Sequence, residues 1–210
     1  MSEPGETTTR GWSERWSPLG GLAFALAIIA LFIFTDGDTG ETAEEVIAYA
    51  EDNEGDLIAW VVTALVSIPL VGWFVSGLYA RVRRLESQTA PALVLAGGTA
   101  FALLFFLAFT IWSAPLIDFP GRADATTAAN AYLLIDDIGW VTLGGGGIGF
   151  ALMAVAASIA ALRSGVVPTW LGWLGAIVGL ASAATIAFFG IFAWIAWILV
   201  TSILLLVRRA

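Results

Sequence analysis

Between Pro168 and Val207 the chain runs for 40 residues without a charged side chain. One helix of that length would be about 60 Å long at 1.5 Å per residue, roughly twice the hydrocarbon thickness of a bilayer. The run therefore predicts a hairpin of two helices. Gly190 is the strong breaker near its middle, and Phe188, Phe189, Phe192, Trp194 and Trp197 around it supply rings suited to a membrane interface.

The rest of the chain follows the same pattern. Hydrophobic residues make up 59% of it and charged residues 12%, far from the roughly quarter-charged mixture of soluble domains. Apolar blocks long enough to cross the hydrocarbon core fall at 19–35, 57–80, 91–117, 138–162, 168–187 and 190–207. The expected fold is an all-α, polytopic membrane helix bundle, a single domain over 19–207 with six transmembrane helices. A polar leader over 1–18 and a tail over 208–210 flank it. The leader is long and contains acids, and FTDGDTG after the first block offers no small-x-small cleavage site, so that block is expected to stay as a permanent span.

Orientation follows from the arginines, because lysine is absent. With the N-terminus inside and six crossings, Arg10, Arg15, Arg81, Arg83, Arg84, Arg163, Arg208 and Arg209 all fall on the cytoplasmic side, leaving Arg122 outside. Five crossings would strand Arg208 and Arg209 outside. Both termini are therefore expected in the cytoplasm, with the chain a multi-pass protein of the cell membrane and the lipid bilayer its first partner. Trp12, Trp16, Trp170 and Trp173 fall near predicted cytoplasmic ends, and Trp60, Trp112, Trp140, Trp194 and Trp197 near predicted outer ends. Trp73 lies deeper. The expected role of the set is interfacial anchoring.

Absences narrow the chemistry. With no histidine and no cysteine, a Ser-His or Cys-His nucleophile pair, an imidazole haem ligand, a thiolate metal site and a disulfide are all unavailable. Without lysine there is neither a retinal-type Schiff base nor a Walker lysine. Asp136 and Asp137 are neighbours that point about 100° apart on a helix, so they do not form an aspartyl-protease dyad by themselves. The expectation is a protein that is not an enzyme and that needs no cofactor, no metal and no nucleic acid.

Asp136 and Asp137 stand ahead of four consecutive glycines, Gly144 to Gly147. Placed at the outer start of the fourth span, the two acids would oppose the positive end of the helix macrodipole. Alternatively one turns inward, meets Asp118 or Arg122, and forms a polar or ion site. The formal G-x-G-x-x-G at Gly144, Gly146 and Gly149 lacks a following acid for a ribose and is compositional. Two membrane readings of the run stay open. Gly145 and Gly149, with Gly175 and Gly179 in the fifth span, form small-residue faces for close helix contact. Otherwise the run unwinds beside a polar cavity, as broken helices do in transporters.

In the first outer loop, ETAEEVIAYAED places Ala43, Val46, Ile47 and Ala50 on one face, with Thr42 and Glu45 spaced as a capping box. This predicts a short amphipathic helix on the outer surface. GGLAFAL at 20–26 recurs as GGTAFAL at 97–103, which suggests duplicated hairpins.

The order of an acidic outer helix, then RVRRLE after the second span, RSGVVPTWLGWLGAIVGL opening the fifth and a closing LLLVRR resembles uncharacterised bacterial six-helix membrane proteins of the domain-of-unknown-function kind. The resemblance implies topology and no site. Two functions are left open: a component acting through helix-helix contacts with itself or another membrane protein, and a small-solute or ion carrier with a polar site in the outer half of the bundle.

Overall fold

The computed structural model describes residues 12–35, 39–85, 89–117, 119, 123–187 and 189–207. Among these are seven α-helices: α1 (Trp12–Phe34), α2 (Ala43–Asp52), α3 (Glu54–Leu85), α4 (Thr89–Ile117), α5 (Ala125–Arg163), α6 (Thr169–Ala181) and α7 (Phe189–Val207). A 3-10 segment, Ser182–Ala187, joins α6 to the last helix. Five of the helices, α1, α3, α4, α5 and α7, are long and apolar enough to cross a membrane. The chain is an all-α membrane protein. Leader residues from Trp12 onward already belong to α1.

α2 is the short helix its pattern predicts. The Thr42 hydroxyl accepts from the Glu45 backbone N–H at 3.3 Å, while the Glu45 carboxylate accepts from the N–H groups of Glu41 (2.9 Å) and Thr42 (3.1 Å). Those bonds hold the Glu45 carboxyl below the usual carboxylate range. Ala43, Val46 and Ala50 are buried on Leu57 of α3, Leu116 of α4 and Ala129 and Tyr132 of α5. That cluster explains a boundary the apolar pattern misses. α5 begins at Ala125, thirteen residues before the expected 138, because its first turns are amphipathic and close on α2.

In a bilayer the lipid is as apolar as the helices, so association depends on close contact and dispersion. The two GGxAFAL segments supply that contact in parallel ways. A Cβ on Gly20 would lie 2.6 Å from the Leu70 carbonyl oxygen of α3, and one on Gly97 would lie 2.5 Å from the Gly149 carbonyl oxygen of α5. Gly21 and Gly98 each face a side chain, Phe74 and Val75. The two phenylalanines, Phe24 and Phe101, meet edge to face at 5.9 Å. With Phe105, Phe150 and Trp194 they form a fully buried ring layer in the middle of the bundle.

α6 lies antiparallel on α5. Gly172 meets Leu162, Gly175 meets Ser158, Gly179 meets Ala154, and Thr185 meets Gly147. The α-helix ends at Ala181, and the 3-10 segment carries the chain on, with Ala184 at φ −84°, ψ 23°. The break thus falls just before Gly190, which packs its bare Cα on Ala184 and Thr185.

Candidate functional site

A cavity of about 480 Å³ lies at the end of the bundle that carries α2, reaching from the α1–α2 connection down to Trp194. Its size falls among small-ligand sites, roughly 300–1,000 Å³. α5 contributes Tyr132, Asp136, Trp140 and Leu143, spaced four, four and three residues apart on one helical face. α4 contributes Phe109, Trp112, Ser113 and Leu116 at the same kind of spacing. Trp60 of α3, Tyr49 of α2 and Ile191 of α7 complete the walls.

The rings here pack on one another. Trp60 stacks on Phe109 at 5.1 Å, Trp112 meets Phe109 at 5.5 Å, and Trp140 lies 5.0 Å from Trp112. Their N–H groups find protein acceptors: Trp60 Nε1 donates to Thr35 Oγ1 at 3.0 Å and Trp112 Nε1 to the Asp136 carbonyl oxygen at 3.3 Å. Gly139 lies directly under the Trp112 indole, where a side chain would displace it. The anchoring role expected of every tryptophan therefore divides. Trp170 and Trp173 are 67% and 59% exposed, as an interfacial belt requires. Trp60, Trp112 and Trp140 turn inward, and Trp194 and Trp197 are buried in the core.

Among the described residues, Asp136 is the one carboxylate on the cavity wall. It is half-buried, with its backbone and side chain both within reach of the Trp112 indole. Asp137 is exposed and faces away, as a 100° turn per residue requires. Neither acid sits at a helix start. The first turn of α5 has no acid, and Asp136 is the twelfth residue of the helix, well beyond the reach of the macrodipole. That expectation is corrected by the early start of α5 on α2. Asp118 and Arg122, proposed to meet these acids, lie outside the described residues.

α5 continues unbroken through Gly144–Gly147, so the unwound alternative does not describe it. Gly149 meets the backbone of α4 at Gly97 and Phe101, while Gly175 and Gly179 meet Ser158 and Ala154 on α5. Gly145 is looser. A Cβ there would touch the Leu104 side chain alone, at 3.2 Å. Gly147 was not singled out in the sequence, yet it takes the backbone contact with the 3-10 segment, 2.5 Å from the Ser182 carbonyl oxygen to a notional Cβ.

A second cavity, about 510 Å³, lies at the opposite end between α3, α5, α6 and α7. Its walls are mainly aliphatic, including Leu78, Val82, Val178 and Leu204, with Arg15, Arg81 and Arg84 among the lining residues. Arg81 is committed to Ser17 Oγ (2.9 Å) and the Gly77 carbonyl (3.0 Å). Such a cleft suits an acyl chain better than a polar solute. The buried rings of Phe24, Phe101, Phe150 and Trp194 separate it from the first cavity.

The cavity-lining set went unread in the sequence because each ring alone fits an interfacial belt. The signal was the repeat of Tyr132, Asp136 and Trp140 at i, i+4 and i+8, which places a carboxylate between two rings on one face. Comparison with known proteins finds no matching family model, no similar curated protein and no similar solved structure.

Proposed function

We propose that this chain is a multi-pass protein of the cell membrane, with six crossings and both termini cytoplasmic, that receives a small solute in the cavity beside α2 and carries out no covalent chemistry. Six crossings are supported by the α6 hairpin. Its glycine contacts run along α5 from Leu162 to Gly147, and the arm from Thr169 to Ala187 reaches about 30 Å, combining α rise with the longer 3-10 rise. Arginine placement supports the same orientation. A non-enzymatic role is supported by the lack of histidine, cysteine and lysine.

Of the two functions left open, the geometry favours the solute site over a component acting through helix-helix contacts. Gly149, Gly175 and Gly179 make close contacts within the chain, so these small-residue faces are not left over for a second copy or another membrane protein. The observation that carries the reading is the inward turn of Trp60, Trp112 and Trp140 around a space lined by the Asp136 carboxylate. The buried ring layer beneath it closes the path through the bundle, so binding at the outer end is the step this conformation supports.

The chain lacks cysteine, which makes the test clean. Leu143→Cys, at the deep end of the α5 wall, should react with a small membrane-impermeant thiosulfonate added outside sealed vesicles. Leu204→Cys in the second cavity should react from the inside only. No reaction at Leu143→Cys from outside would remove the solute site.

A further inference from the structure

We infer that the cavity beside α2 is a site for an organic ammonium ion, a small cation carrying its charge on an alkylated nitrogen. The inference rests on the reading of that cavity as a solute site and names the class of solute. Three observations converge on it.

The first is the charge on the wall. Asp136 has no arginine against it among the described residues; the groups that act on it are Asp137 and Trp112. A half-buried carboxylate among rings is poorly solvated, and a bound cation would relieve that cost while an anion would add to it.

The second is the surface offered beside the carboxylate. The N–H groups of Trp60 and Trp112 are engaged with Thr35 and Asp136, so what these rings and Trp140 retain for a ligand is aromatic surface. Aromatic faces attract cations through the ring quadrupole, and an alkylated nitrogen suits them because its outer shell is apolar. A bare metal ion needs six or more oxygens for calcium, or near-octahedral geometry for magnesium. No three histidine, cysteine, aspartate or glutamate residues gather to hold one among the described residues. The Ser113 hydroxyl is already given to the Phe109 carbonyl at 2.6 Å.

The third is the field at this end. Among the described residues, 39–56 and 123–137 hold ten acidic residues and no arginine. A mouth of one sign concentrates counter-ions and speeds their entry.

The experiment uses the full chain in detergent or nanodiscs, with choline as the probe and 3,3-dimethylbutan-1-ol as its uncharged isostere, both titrated by calorimetry. Choline should bind at least about tenfold tighter than the alcohol, as a desolvated cation-ring contact implies. Asp136→Asn should abolish that preference, whereas Asp137→Asn, the same charge change on the exposed face, should keep it. Equal affinity for the two probes, or equal effects of the two asparagine variants, would overturn the assignment. If Asp136→Asn does not fold, the comparison of probes on the unaltered chain still decides. When neither probe binds while Leu143→Cys is labelled from outside, the ammonium assignment fails and the open cavity stands. When Leu143→Cys is not labelled, the solute site fails and takes the assignment with it.

Discussion

Gly97 and Gly149 face each other where α4 crosses α5, each lying where the other's side chain would be. A Cβ on Gly97 would sit 2.5 Å from the Gly149 carbonyl oxygen, and one on Gly149 would sit 2.9 Å from the Gly97 carbonyl oxygen. Both obstacles are backbone, so neither can swing aside. The crossing also sets the height of the ring layer, since Phe101 and Phe150 stand one turn or less from it and meet at 5.1 Å.

This crossing yields a graded prediction. Gly149→Ala and Gly97→Ala should each destabilise the protein by about 1–3 kcal/mol, the usual cost of overpacking. Gly145→Ala meets a flexible leucine tip instead and gains helix propensity, so it should fall well below the other two. Thermal unfolding in one detergent, read by circular dichroism, checks the order. Equal effects at positions 145 and 149 would mean that the crossing is not where stability is concentrated.

The hairpin turn makes a second prediction. Gly190 faces Ala184 and Thr185 backbone, and Gly147 faces the Ser182 carbonyl and Thr185 hydroxyl, so the 3-10 segment is gripped from both sides. Thr185 Oγ1 donates to the Ser182 carbonyl at 2.5 Å, which further ties the segment to itself. Gly190→Val should loosen α7 from α6 and increase proteolysis between them, while the exposed neighbour Phe189→Leu should not. Limited proteolysis with mass mapping distinguishes the two.

These contacts also show which parts of the molecule could be read from the chain. The helical class, α2 with its Thr42–Glu45 box and the break near Gly190 all follow from local chemistry: period, capping residues and the length of an uncharged run. The start of α5 does not, because Ala129 and Tyr132 are ordered by burial under α2, a partner distant in sequence. The same holds for the cavity. Asp136 was visible as an acid beside an apolar span, but its company of Trp60, Trp112 and Tyr49 comes from three other helices. Gly147 was hidden for a related reason. In a run of four glycines, only the approach of the 3-10 segment distinguishes one from the next.

Topology gives a third prediction. A reporter fused after Ala210 should be active in its cytoplasmic form only, and one inserted at Gly40 in its external form only, because eight of the nine arginines then lie inside. A C-terminal reporter active outside would mean that α6 and α7 do not both cross.

The fourth prediction concerns acid. In α2 the Glu45 carboxylate accepts N–H bonds from Glu41 and Thr42, which depress its pKa in the folded helix relative to the free chain. For a carboxyl with a depressed folded value, the unfolded state binds the proton more readily, so the contribution to stability is fully present above the unfolded pKa and disappears as pH falls through the folded one. At neutral pH the box is therefore intact, and acidification should release the N-terminus of α2 first. Glu45 is fully exposed, so water and salt screen the effect, and it should appear as local fraying rather than global unfolding. Hydrogen exchange over residues 43–52, followed at descending pH and corrected for intrinsic rates, should show protection falling below the ordinary glutamate range. Glu45→Gln can still accept those N–H bonds with its amide oxygen but cannot titrate, so its protection over the same segment should be weaker at neutral pH and flat on acidification. A variant that kept the full acid response would place the titrating group elsewhere than at Glu45.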